Sequence, residues 1–221
     1  MSANVIYFHI PDYREIRFLR PLIHGGELID IGAHVGLFTL MIADKVHHAI
    51  LFEPTGLAAR RAAENLALNR LNFEIQALAL SDKRGEVYFQ ERGEVDTQNM
   101  VVTGPGRSPF PIRQVPCDTL DHFLEGRRIS PFKIALIKID VEGHENSVLR
   151  GMQQTLIRRK PKVVMFEYIS GYDFQETQAI LERTGYKIFS LSEQGHLVPV
   201  CSPPERDQNL FALPEGNSFE H

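Results

Sequence analysis

Short apolar runs alternate along the chain with longer stretches that are apolar at every third or fourth position. The run 27–32, "ELIDIG", reads as a buried strand, and a helix pattern follows over about 36–46. A second strand, "HAILFEP", occupies 48–54, and "LAARRAAENLALNR" over 57–70 is rich in good helix formers. "FEIQALAL" (73–80) reads as a third strand, and "EVYFQ" (86–90) as an extra antiparallel one. "DTLDHFL" predicts a short helix with Asp118 as its N-cap. A fourth main strand covers 134–139, a helix about 143–159, and a fifth strand, "KVVMFEY", 162–168. A helix at about 173–184, the strand "YKIFSLS" and extended runs at "HLVPV" and "NLFALP" close the chain. Strands alternating with helices imply a mostly parallel sheet covered on both faces, with ligands at the carboxyl ends of the strands.

Two places at those ends carry chemistry. In "IDIGAHVG", Asp30, Gly32 and Gly36 stand where the first strand turns into its helix, and glycine lets backbone approach a ligand closely. Glu53 ends the second strand about twenty residues on, where a carboxylate accepts both hydroxyls of a ribose. A dinucleotide site wants G-x-G-x-x-G, but His34 stands at the second glycine position. The second place is "KIDVEGHENSVLRG". There Asp140, Glu142, His144 and Glu145 follow directly on an apolar strand. Glu145 shares a helix face with Leu149, Met152 and Leu156, so it starts a buried stripe and bonds backbone.

A strand ending in D-x-E-G-x-E, followed by V-L-x-G, resembles the FkbM-like methyltransferases. "IDIGAHVG", "FEP", "ALSD", "CDTLDHFL" and "VVMFEY" fit that family in order, over about 28–168. The resemblance implies a Rossmann-like class I methyltransferase fold, a three-layer α/β sandwich. Its seven-stranded sheet has the order 3-2-1-4-5-7-6, with the seventh strand antiparallel. It implies S-adenosylmethionine as cofactor and a hydroxyl of a sugar or secondary metabolite as methyl acceptor. Asp30, Gly32, His34 and Gly36 then hold the methionine part, Glu53 the ribose, and Ser81 and Asp82 the adenine edge. Asp140 sits beside the sulfonium, with Glu142, His144 and Glu167 as candidate bases for the hydroxyl proton. The competing readings are a nicotinamide-dependent oxidoreductase and a metal-dependent hydrolase using Asp140, Glu142 and Glu145 as oxygen ligands.

Bulk properties narrow the partners. A net charge of −4 over 221 residues argues against nucleic acid as the main partner. No run is long and apolar enough for a membrane span, and the start does not read as a signal peptide. Two distant cysteines, Cys117 and Cys201, make neither a disulfide framework nor a metal site, so the expected setting is the reducing cytoplasm, with no metal. Residues 27–221 read as one methyltransferase domain. Residues 1–26, with Tyr7, Phe8, Tyr13 and Phe18, read as an aromatic segment that covers the site or pairs two copies of the chain. The Gly- and Pro-rich stretch 91–114 is expected to be a mobile loop over the acceptor.

Overall fold

The computed structural model describes residues 13–93, 96, 98–125, 127 and 133–216. In chain order the elements are α1 (Tyr13–Leu19), β1 (Glu27–Ile31), α2 (Leu37–Ile42), β2 (His48–Phe52), α3 (Gly56–Leu68) and β3 (Phe73–Gln76). Then come β4 (Ala79–Leu80), β5 (Gly85–Gln90), β6 (Met100–Val102), β7 (Ile112–Asp118), α4 (Leu120–Glu125) and β8 (Ile134–Ile139). The chain continues through α5 (Glu145–Arg150), α6 (Gln153–Arg159), β9 (Val163–Tyr168), α7 (Phe174–Arg183), β10 (Tyr186–Leu191), β11 (Leu197–Pro199) and β12 (Gln208–Pro214).

The main sheet runs β11-β10-β12-β9-β8-β1-β2-β3. Without β11 this is the expected order, and β12 is antiparallel to both its neighbours. The count differs: "HLVPV" folds back on β10 and adds an eighth strand at the edge. β1, β8 and β9 are buried along nearly their whole length because helices cover both faces. Ile29, Ile31, Ile137 and Ile139 point into the core under α4 to α7. Leu28 and Leu136 point the other way, against α1, α2 and α3.

Four expectations need correction. The segment 73–80 is two strands, because β4 leaves the main sheet and joins a second one, ordered β4-β7-β5-β6. The stretch 91–114 contributes β6 and the start of β7 to that sheet, with Phe89 paired to Val101. The helix cap is Thr119, whose Oγ1 accepts the His122 N–H at 3.1 Å, while Asp118 ends β7. Phe18 is core rather than surface, its ring 5.1 Å from that of Phe211. Residues 1–12, with Tyr7 and Phe8, lie outside the described residues. Among the described residues no helix is long and apolar enough to cross a membrane.

The predicted helix 143–159 is broken at Gly151, although Glu145, Leu149, Met152 and Leu156 are all buried as the pattern required. Asp121 of α4 causes the break. Its carboxylate caps α6 by accepting the N–H groups of Gln154 and Thr155 at 2.9 and 2.7 Å. Gly151 lies so close to the chain after β4 that a Cβ there would stand 2.0 Å from the Ser81 carbonyl oxygen. Gly151→Ala is therefore expected to destabilise the protein by about 1–3 kcal/mol, as overpacking against backbone does. Urea unfolding measures this, and a variant as stable as wild type would contradict the contact.

Candidate active site

The site begins with a geometric demand. Where β1 ends, the chain must reverse into α2 within a few residues, and Gly32, His34 and Gly36 all take left-handed conformations, at φ 77, 48 and 80°. A Cβ on Gly32 would stand 1.8 Å from the Asp140 carbonyl oxygen, so only glycine fits between the ends of β1 and β8. Histidine at position 34 is among the few other residues enriched in this conformation. Its N–H donates to Glu53 Oε2 at 2.9 Å, and the Thr55 N–H donates to Oε1 at 2.7 Å. The Glu53 carboxylate is thus clamped at the end of β2. Burial pushes its pKa up, and the Thr55 and His34 N–H bonds oppose that. Each oxygen keeps a further lone pair for a donor in the cleft.

Asp30 lies elsewhere than its motif position implies. It is fully buried, accepts the Thr39 hydroxyl at 2.6 Å and faces Lys138 Nζ at 3.7 Å. Burial raises its pKa against the pull of Lys138. Asp30, expected at the methionine part, does not line the cavity; Lys138, which it faces, does. That ammonium lies 3.0 Å from Asp140 Oδ2 and donates to the Gly32 carbonyl at 3.3 Å. Lys138 was missed in the sequence, although a single charge inside "KIALIKID" was the available signal.

At the end of β8, Glu142 and Gly143 make a left-handed turn at φ 51 and 98°. Glu145 closes it, its Oε1 accepting the Val141 N–H at 3.0 Å, and burial raises its pKa to about 7. The carboxylates of Asp140, Glu142 and Glu167 come within 4.8 Å of one another. Glu167, not Glu145, completes this acidic group, which corrects the ligand set of the hydrolase reading. Burial, then Asp140 and Glu142, push Glu167 up to about 8; burial and Asp140 raise Glu142.

His144 is turned away from these acids. Its Nε2 is 2.9 Å from Ser81 Oγ, and burial lowers its pKa to about 4, which makes it a poor base near neutral pH. Ser81 is buried in that contact, and Asp82 pairs with Arg150 at 3.0 Å. Ser81 and Asp82, expected at the adenine edge, are not among the residues that line the cavity; beside them the wall is Leu78, Ala79 and Leu80.

These groups surround a cavity of about 330 Å³. Its lining takes in the turn 32–35, Glu53 and Thr55, and the residues Asp140, Val141, Glu142 and His144. Phe38, Met41, Phe52 and Leu80 give it apolar walls. The second sheet adds Phe89 and Val101, and the chain between β5 and β6 adds Asp96 and Asn99; three of these four come from the stretch 91–114, which was expected over the acceptor. The arrangement suits a ligand that carries a diol, a flat apolar body and a polar reacting group.

The acids also set the pH response. Glu167 has a folded value of about 8 against an ordinary 4.5, so the fold favours its neutral form. Its contribution to stability is full below pH 4.5 and is lost as pH rises through 8. His144 has the opposite sign: its contribution is present above 6.5 and is lost as pH falls through about 4. Glu167→Gln is expected to flatten the decline in unfolding free energy toward pH 8 and to exceed wild-type stability there. Parallel wild-type and variant curves from denaturant unfolding across that range would contradict the assignment.

Comparison with known proteins fits this geometry. The family model "Methyltransferase FkbM domain" matches residues 30–188. A methyltransferase FkbM from Methylobacillus flagellatus KT has a similar structure, with TM-score 0.53 at 16% identity, covering 85% of this chain and 43% of that one. Magnesium protoporphyrin IX methyltransferase from Synechocystis PCC 6803, solved with bound SAM, gives 0.51 at 9% identity, covering 90% of this chain and 76% of that one. AMB antimetabolite synthetase AmbE of Pseudomonas aeruginosa is 24% identical over 174 residues, 62% of this chain and 8% of that protein. The chain therefore spans less than half the length of AmbE and of the FkbM structure. The match over most of the chain, on a Rossmann-like class I methyltransferase fold, places this protein in the FkbM methyltransferase family.

Proposed function

We propose that the protein transfers a methyl group from S-adenosylmethionine to a hydroxyl of a sugar or secondary metabolite. The observation that carries the reading is Glu53: a buried carboxylate at the end of β2 that lines the cavity, held by two backbone N–H groups and with acceptor capacity beyond them. That is what a ribose diol requires. The apolar walls suit an adenine, and Asp140 at the end of β8 suits a positively charged sulfur. The family match and the SAM-bound structure of similar fold support the same cofactor. The likeness to an antimetabolite synthetase supports the secondary-metabolite side of the acceptor range.

S-adenosylmethionine, when bound, supplies the electrophilic methyl group. The chain's own residues bind, orient and take the proton. Glu53 fixes the sugar end. Phe38, Phe52 and Leu80 exclude water from the middle of the cavity. Glu142 draws the proton from the acceptor hydroxyl. It lines the cavity, and burial beside Asp140 makes it a stronger base than an ordinary carboxylate. Glu167 stands behind it in the same acidic group and withdraws from the role of first base because it does not line the cavity. The order of candidates is therefore Glu142, then Glu167, then His144.

Two measurements test the reading. Glu53→Ala is expected to weaken S-adenosylhomocysteine binding at least about tenfold by calorimetry, a modest demand on two charge-assisted hydrogen bonds. Unchanged affinity in a folded variant would remove the ribose assignment. Once a screen of neutral sugars and hydroxylated metabolites for S-adenosylhomocysteine release finds an acceptor, Glu142→Gln should lower turnover by about 10²–10⁴-fold while leaving cofactor affinity unchanged. Wild-type turnover in that variant would exclude Glu142 as the base.

A further inference from the structure

Lys138 is out of place in the fold. It lies in β8, in register with Asp30 of β1 and Met165 of β9, on the face where Leu28 and Leu136 are core residues. Its side chain is 6% exposed. A lysine there must lose its hydration, and a methionine would fill the same space without that cost.

What the ammonium touches explains its presence. One acceptor, Asp140 Oδ2 at 3.0 Å, belongs to the end of β8; another, the Gly32 carbonyl at 3.3 Å, belongs to the turn after β1. Those are the two lips of the cleft. A further partner, Asp30, is fully buried below them, where it balances the charge and is itself held by Thr39 of α2. A chain of contacts thus runs from α2 through two strands to the rim. Asp140 lines the cavity together with Gly32 and Lys138 and is the most exposed charged member of that chain of contacts, its side chain 38% exposed against 6% for Lys138.

We infer that Lys138 is a positioning residue for the cofactor: it aims the Asp140 carboxylate and the Gly32 turn at the same bound molecule. The inference rests on the cofactor reading above. Lys138 makes no contact with the transferred group in this role. It acts through Asp140 and Gly32, which tie the two lips at a fixed separation.

The test must separate a role in the site from a role in the fold. Lys138→Met alone strands Asp30 as an unpaired buried charge, so it is expected to lose both stability and affinity. The double variant Asp30→Asn/Lys138→Met removes both charges and keeps the net charge of the site. Its urea-unfolding midpoint is expected to recover most of the way to wild type. Its affinity for S-adenosylhomocysteine, by calorimetry on the full chain, is expected to stay at least about tenfold below wild type, because the rim is no longer held in place. A double variant that binds like wild type, or one that does not fold, would overturn the inference by assigning Lys138 to the fold alone. Failure of the wild-type protein to bind S-adenosylhomocysteine would instead overturn the cofactor reading.

Discussion

The site depends on how closely the ends of β1 and β8 approach each other. Gly32 passes the Asp140 carbonyl at a distance that leaves no room for a side chain, and the Asp140 N–H donates to the Ile31 carbonyl at 3.0 Å. Once those two strand ends are joined, the chain after each must diverge. The turn after β1 goes to α2 through left-handed residues, and the turn after β8 goes to α5 through Glu142 and Gly143. The cavity opens between them, and Glu53, Asp140 and Glu142 take their positions from these two turns and from the end of β2.

The electrostatics follow from this crowding. Asp30, Asp140, Glu142, Glu145 and Glu167 gather around the end of β8, and Lys138 is the cation that two of them share. Burial and mutual repulsion raise Glu142, Glu145 and Glu167 above ordinary carboxylates. A site that concentrates acids in this way trades stability for basicity. Carboxylates raised in this way are stronger bases than ordinary ones, and their shared charge disfavours an anion beside them.

Much of this was legible in the sequence. The apolar runs gave the main strands, and the motifs put Gly32, Glu53 and Asp140 at the strand ends where they lie. What escaped had identifiable causes. The second sheet is built from strands of two, three, six and seven residues, one of them carrying Pro116, so no sustained alternation marked it. The break at Gly151 comes from Asp121, an interaction over 33 or 34 residues that helix periodicity cannot register. Ser81 and Asp82 follow the third strand as expected, but their side chains turn to His144 and Arg150. Burial, which sequence reading assigned to apolar residues, also took in Asp30 and Lys138 because they pair with each other.

The central claim is that one molecule spans the cavity from Glu53 to Asp140. A crystal structure of the full chain grown with S-adenosylhomocysteine tests it most directly. Both ribose hydroxyls are expected on the Glu53 carboxylate, the adenine between the apolar walls beside Leu80, and the sulfur facing Asp140. A ligand bound with its ribose away from Glu53, or with its sulfur turned from the end of β8, would contradict it.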